Sequence, residues 1–519
     1  MWSTRIDWKR INSATTFWPL LLFVAYAAVL FWKQHQAFAG FVVPYSDFAA
    51  DDILIFEAKK FQLLHGIYSR FGFYHPGPLI LQFAALGETL LYDWAHLFPT
   101  YIAAQAFTVT LLHGVAFAFA LRLWLQVTGN IAVALAAVLL TIATISRQAD
   151  PYVFLIPWAA NISVAGATMV ATGLAGILVR GPNWLPLLAF GAVMLINIHV
   201  SFISIVPGIF VAIVLAALIA RRIPTSIGGA TAGLRSLSKS FTSVAISAAI
   251  VTIGLMPIAI NLVAHWPAEL PKYLEVAGKL RLNQPIKVFR YIISFLPLYG
   301  AWILLFSSRI RPATEDQQQA DIRFAAVSIF WSALGMAILF SFRGIDALEL
   351  RFLLYWLTAF IGIAAAAVFV YLYLVFQRQY LRVVLTVAVV AVSAVPIAQS
   401  LELREFVNTQ AIVEAARVLA EKAQPDRKIV LELDRSPEAW SDVWSETVGL
   451  IAVLNRQGNR SVCIDHLDWH LLFHARYRCD DTGNADAERL RVVMRKRAVG
   501  KVVAPLLMTA IIEPEKTVR

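Results

Sequence analysis

Long apolar runs separated by short polar connections dominate the first 400 residues. Windows long enough to span a bilayer centre on 16–33, 100–125, 131–146, 160–179, 184–200, 201–220, 241–263, 290–307, 323–342, 352–377 and 381–399. They predict eleven membrane-spanning helices. One apolar stretch breaks the rule: "PGPLILQFAALGETLLY", 76–92, is short and carries Glu88, so it is read as a helix lying in or dipping into the outer interface. Beyond residue 400 the pattern changes, with "KIVLELD" (428–434) and "KVVAPLL" (501–507) reading as strands and 401–423 and 438–455 as helices. The division is therefore a transmembrane domain over 1–400, with an exterior loop at 33–98, and a small exterior α/β domain over 401–519.

Composition agrees: 59% of the 519 residues are hydrophobic and only 15% charged, against roughly 25% charged in a soluble domain. A net charge of +11 raises the question of a nucleic-acid partner, and the placement of the charges excludes it. With Arg5, Lys9 and Arg10 fixing the N-terminus inside, strict alternation puts Arg122, Arg180, Arg221, Arg222, Arg309, Arg311, Arg378 and Arg382 on the cytoplasmic side, as positive-inside retention requires. The region beyond 400 is balanced, with 18 Lys/Arg against 18 Asp/Glu. "AFAG" at 37–40 is similar to a signal-peptidase site, but Lys33 interrupts the approach to it, so the first span is read as retained. The expected location is the cytoplasmic membrane, multi-pass, with the C-terminal domain outside. Two cysteines, Cys463 and Cys479, fall in that domain; they form one disulfide if it is exported, or stay as two thiols.

The exterior loop after the first span concentrates chemistry. In "AADDILIFEAKKFQLLHGIYSRFGFYHPGP", 49–78, Asp47, Asp51 and Asp52 open an amphipathic helix whose stripe is Leu54, Ala58, Phe61 and His65. One aspartate suffices to cap a helix, and three exceed that need. Glu57, Arg70 and His75 follow, His75 directly before Pro76, where it either caps the next helix or meets substrate. By parity the same side receives His199, Lys287, Arg290 and Arg351. Snorkelling explains most such charges, but Arg351 is the first residue of an apolar span and can present a bidentate fork to a headgroup phosphate. Carboxylates, a histidine and cations at one membrane surface suit sugar transfer from a lipid phosphate: a carboxylate takes the acceptor proton and cations stabilise the departing phosphate.

These motifs resemble the GT-C glycosyltransferases, multi-span proteins that use polyprenyl-phosphate sugars. The resemblance rests on Asp51-Asp52 with "YHPGP" in the first exterior loop, on "NIHVSF" (197–202) at a span junction, and on "ELRFLLYWLTAF" (349–360). "HPGP" stands where the class has HPP, Asp52 where it has glutamate, and Phe352 where it has tyrosine; "YSRFGFYHPGPL" is similar to a bacterial branch of such proteins. The resemblance implies a GT-C bundle and an inverting transfer from a polyprenyl-phosphate sugar to a glycan, lipid or protein acceptor of the cell envelope. It makes Asp52 the base and Asp51 a helper, with His75, Arg70, Glu57, His199, Lys287, Arg290 and Arg351 as substrate contacts. A divalent metal held by Asp51 and Asp52 is left open, as are the sugar, the acceptor and the oligomeric state. A flippase of lipid-linked sugars, or an inactive relative that scaffolds envelope assembly, stands as the alternative; the flippase would need ionisable groups or broken helices near the midplane.

Overall fold

The computed structural model describes residues 8–150, 152–220, 240–296, 316–402, 429–433, 440–458, 462–464, 477, 479, 488–496 and 508–514. Among these residues eight helices are long and apolar enough to cross a membrane, and the chain is a multi-pass membrane protein. In chain order the helices are α1 (Trp8–Ala37), α2 (Ser46–Ala58), α3 (Leu79–Gly87), α4 (Tyr101–Thr128), α5 (Ile131–Gln148), α6 (Ala159–Arg180), α7 (Leu185–Ile198), α8 (Phe202–Ala220), α9 (Phe241–Ala264), α10 (Leu270–Lys279), α11 (Pro285–Ile293), α12 (Gln317–Arg343), α13 (Tyr355–Val375) and α14 (Gln379–Ser400). The eight long ones coincide with predicted windows, and α7 and α8 fill two more as shorter apolar helices. The window at 290–307 runs outside the described residues after Leu296.

The chain forms two compact units. The first comprises Met1–Lys33, Val109–Ala259 and Glu275–Glu402. Its centre is α6, buried along nearly its whole length and packed against α7, α12 and α13, while α13 also packs on α5. In a bilayer such contacts depend on close backbone approach, because lipid tails are as apolar as the helices. Gly166 and Gly191 supply it here: a Cβ on Gly191 would lie 2.7 Å from the Gly166 carbonyl oxygen.

The second unit comprises Gln34–Thr108, Ile260–Leu274 and Leu403–Arg519. In it a π-helical run, Glu88–Trp94, continues α3, so the 76–92 segment forms a short helix that changes winding midway. The expected stripe along α2 stops at Ala58. Phe61 has a positive φ of 57° and is 94% exposed, because the chain turns at Lys59–Phe61. After the turn, Gly66 N–H donates to His75 O at 2.8 Å, His75 N–H to Ile67 O at 2.8 Å and Ser69 N–H to Phe73 O at 2.7 Å, closing a tight hairpin-like loop around "YSRFGF". Tyr273 fastens that loop to the 260–274 segment: its hydroxyl donates to Tyr74 O at 2.5 Å, and its ring meets Phe73 edge-on at 4.9 Å.

The C-terminal part contributes β1 (Ile429–Leu433), α15 (Trp440–Arg456), β2 (Val462–Ile464), β3 (Glu488–Lys496) and β4 (Met508–Pro514). The sheet order is β2-β1-β3-β4, with β1 parallel to β2 and β3, and β4 antiparallel to β3. The predicted strand at 501–507 and most of the predicted helix at 401–423 lie outside the described residues, whereas β3 and β4 were not anticipated. Cys463 and Cys479 are joined as a disulfide. Helix α15 packs on α2. Gly449 permits the approach of this helix to the chain leading into α2, since a Cβ there would lie 2.4 Å from the Pro44 carbonyl oxygen.

Candidate functional site

The three aspartates of α2 have different surroundings because successive helical residues point about 100° apart. Tyr45 is the N-cap and makes no side-chain cap bond. Asp47 lies in the first turn, and Asp51 and Asp52 are inside the helix, so capping does not account for the last two. Asp52 is 1% exposed. Its carboxylate is held by Arg456 at the end of α15, with Nε to Oδ2 at 2.7 Å and Nη2 to Oδ1. Gln105 Nε2 adds a third bond to Oδ1 at 3.0 Å.

Glu88 faces the same guanidinium. It is also 1% exposed, and it accepts from Arg456 Nη1 and Nη2 at 2.9 Å each and from Gln105 Nε2 at 2.8 Å. Lys59 Nζ then bridges Glu88 Oε1 at 2.8 Å and Asp93 Oδ2 at 2.5 Å. Residues five apart would lie ~140° apart on an α-helix. The π winding of Glu88–Trp94 brings Glu88 and Asp93 to one face, where a single ammonium serves both. The Arg456 guanidinium rests on the Tyr101 ring, 3.8 Å from its centroid, with Phe56 at 5.4 Å.

The electrostatics follow from this packing. Burial alone would raise the Glu88 pKa, but hydrogen bonds and charge from Arg456, with Lys59 and Gln105 adding to them, bring it down to about 2. Burial alone would lower the Arg456 pKa, and the Asp52 charge with bonds to both carboxylates reverses the effect and raises it. Asp51, partly buried on the adjoining face, goes the other way: burial first, then the charges of Asp47 and Asp52, hold its carboxyl well above the usual range. One carboxylate of the pair is thus held in an ion network, and its neighbour has its proton affinity raised by burial and by the charges of Asp47 and Asp52.

The other candidates divide between the units. Glu57 lies near the end of α2, partly buried. Arg70 is exposed and stacks over Phe71 at 5.2 Å. His75 is buried, its ring edge-on to Phe73 at 5.6 Å, and the next helix takes Pro78 as N-cap without any side-chain cap bond. In the first unit His199 ends α7, its Nδ1 2.8 Å from Ser201 Oγ. Lys287 and Arg290 are exposed on α11 while Val288, Tyr291 and Ile292 are buried. Arg351 donates to Gln148 O at 3.2 Å and Ser294 O at 3.4 Å and stacks over Phe295 at 5.0 Å.

Asp51 and Asp52 do not fit a divalent cation. Both oxygens of Asp52 already accept from Arg456, and among the described residues no group of three His, Cys, Asp or Glu side chains converges as a metal would require. Sequence reasoning missed Lys59, Asp93, Tyr101, Gln105 and Arg456. It noted Glu88 only as an exception in an apolar segment, which is itself the signal that could have found it.

No family model matches the chain, and no curated protein sequence matches it. Among solved structures, ArnT from Cupriavidus metallidurans in the apo state aligns with a TM-score of 0.58 at 14% identity, covering 96% of this chain and 98% of that one. ArnT bound to undecaprenyl phosphate aligns with a TM-score of 0.55 at 12% identity, with the same coverage. The chain has the fold of the GT-C membrane glycosyltransferases.

Proposed function

We propose that the protein transfers a sugar from a polyprenyl-phosphate-linked donor to a cell-envelope acceptor at the outer face of the cytoplasmic membrane, with inversion. The observation that carries this reading is the contrast within one helix: Asp51 has a raised proton affinity beside an Asp52 that Arg456 has fixed. The chemistry is carried over by fold-level analogy to a protein whose solved structure binds undecaprenyl phosphate. The base moves from Asp52 to Asp51, because both oxygens of Asp52 already accept hydrogen bonds from Arg456 and one also from Gln105, and its side chain is buried away from a substrate hydroxyl. In the proposed step Asp51 takes the acceptor hydroxyl proton, the oxygen bonds to the anomeric carbon, and the bond from that carbon to the phosphate oxygen breaks. Polyprenyl phosphate leaves with the electron pair. Arg351 is the proposed phosphate contact, with Lys287 and Arg290, and His75, Arg70, Glu57 and His199 are further proposed substrate contacts.

The test is the lipid extract of a deletion strain. A polyprenyl-phosphate-linked sugar should accumulate, and the wild-type gene should clear it. Asp51→Asn at matched protein level should fail to clear it, with transfer slowed by about 10²- to 10⁴-fold. No accumulation in the deletion strain would overturn the reading, and clearance by Asp51→Asn would remove Asp51 as base.

A further inference from the structure

Two buried carboxylates facing each other repel, and such a pair persists only with a cation between them. Asp52 and Glu88 are such a pair, and the sequence alone offered Asp52 to a divalent metal. The guanidinium of Arg456 stands between them instead, bonded to both oxygens of each carboxylate. Gln105 donates to both carboxylates from the side. The guanidinium rests on the Tyr101 ring, 3.8 Å from its centroid.

We propose that Arg456 is the resident cation of the acidic site, taking the place between Asp52 and Glu88 that a divalent ion would otherwise fill, so that α15 completes the site and no metal is needed there. The inference deepens the transferase reading, on which its bearing on catalysis rests. A guanidinium suits the task because it is planar, charged at every working pH and forked to meet two carboxylates. Arg456 is accordingly a positioning residue: it fixes Asp52 one residue from the proposed base. An α15 that merely latched onto α2 would need no cation at this point, and that difference can be measured.

The test requires no sugar, so its failure is separable from failure of the transferase reading. Mn²⁺ binding to the purified full chain in detergent is followed by electron paramagnetic resonance. Wild type and Arg456→Lys should bind no Mn²⁺ at the site up to about 1 mM, the weak end of oxygen-ligand affinities. Arg456→Ala should gain one Mn²⁺ with at least tenfold tighter binding than that limit, and Asp52→Asn added to it should abolish the gain. Mn²⁺ should raise the thermal midpoint of Arg456→Ala and leave that of wild type unchanged. Arg456→Gln, which keeps amide donors without the charge, serves if Arg456→Ala does not fold. Mn²⁺ bound by wild type and lost in Asp52→Asn would overturn the proposal, as would a folded neutral variant that gains no Mn²⁺.

Discussion

Arg456 and Asp52 are 404 residues apart in sequence, and their side chains meet through two hydrogen bonds, one at 2.7 Å. Neither partner is tolerable alone in this environment: desolvating a charge costs several kcal/mol, and the pair offsets that only when both are in place. The contact therefore couples the integrity of α2 to that of α15.

Arg456→Met should be strongly destabilising, by about 3–5 kcal/mol, because it strands two buried carboxylates. Chemical denaturation of the purified protein measures the loss. Adding Asp52→Asn and Glu88→Gln to Arg456→Met should recover a large part of it, since burial of neutral amides costs less than burial of unpaired charge.

Acid should undo the same network in a defined window. The Glu88 pKa is depressed to about 2, so its contribution to stability is fully present above the ordinary glutamate value near 4.5 and is lost as pH falls from there toward 2. The thermal midpoint of wild type should fall more steeply than that of Glu88→Gln between about pH 5 and 3 and run parallel to it above that range. Parallel curves throughout would show that Glu88 keeps its proton state on unfolding.

For Asp51 the sign is reversed. Its carboxyl is raised by burial, Asp47 and Asp52, so the rising limb of the pH–rate profile should lie above the ordinary aspartate pKa of about 3.9. Asp47→Asn removes one of the charges and should move that limb to lower pH. A limb that stays in place on this substitution would separate Asp51 from the titration that controls rate.

Gly449→Ala should loosen the approach of α15. The added methyl meets the Pro44 carbonyl oxygen, a backbone atom that cannot swing aside. A cost of about 1–3 kcal/mol is expected. Limited proteolysis should cut the C-terminal part of the variant sooner than that of wild type.

On the proposed transferase reading, Arg351→Lys keeps the charge and loses the fork, so binding of added undecaprenyl phosphate should weaken by about tenfold at unchanged protein level. Unchanged binding in Arg351→Ala would confine Arg351 to bonding Gln148 and Ser294.

The membrane helices were legible because a bilayer admits only long apolar segments with internally satisfied backbones, and α1, α4, α5 and α6 coincide with their windows to within a few residues at most ends. Helix α2 was legible as well. Which of its aspartates is buried was not: Asp51 and Asp52 differ only in azimuth, and the face that becomes interior is chosen by α15, hundreds of residues away. Arg456 had no local signal, since a basic residue in the last turn of a helix is ordinarily explained by the helix dipole. Strands β3 and β4 escaped for a related reason. Their arginines and glutamates, as in "ERLRVVMRK", break the apolar run that marks a buried strand.

The wider winding at Glu88–Trp94 takes about one extra residue per turn at the end of the helix that α3 begins. Its removal is a prediction about chain length, with no change of chemistry. Deleting Leu91 would let the segment rewind as α-helix, with Glu88 and Asp93 then four residues apart and ~40° from each other in azimuth. Lys59 should therefore still bridge both carboxylates, because four α-helical residues and five π-helical residues bring the same pair to one face.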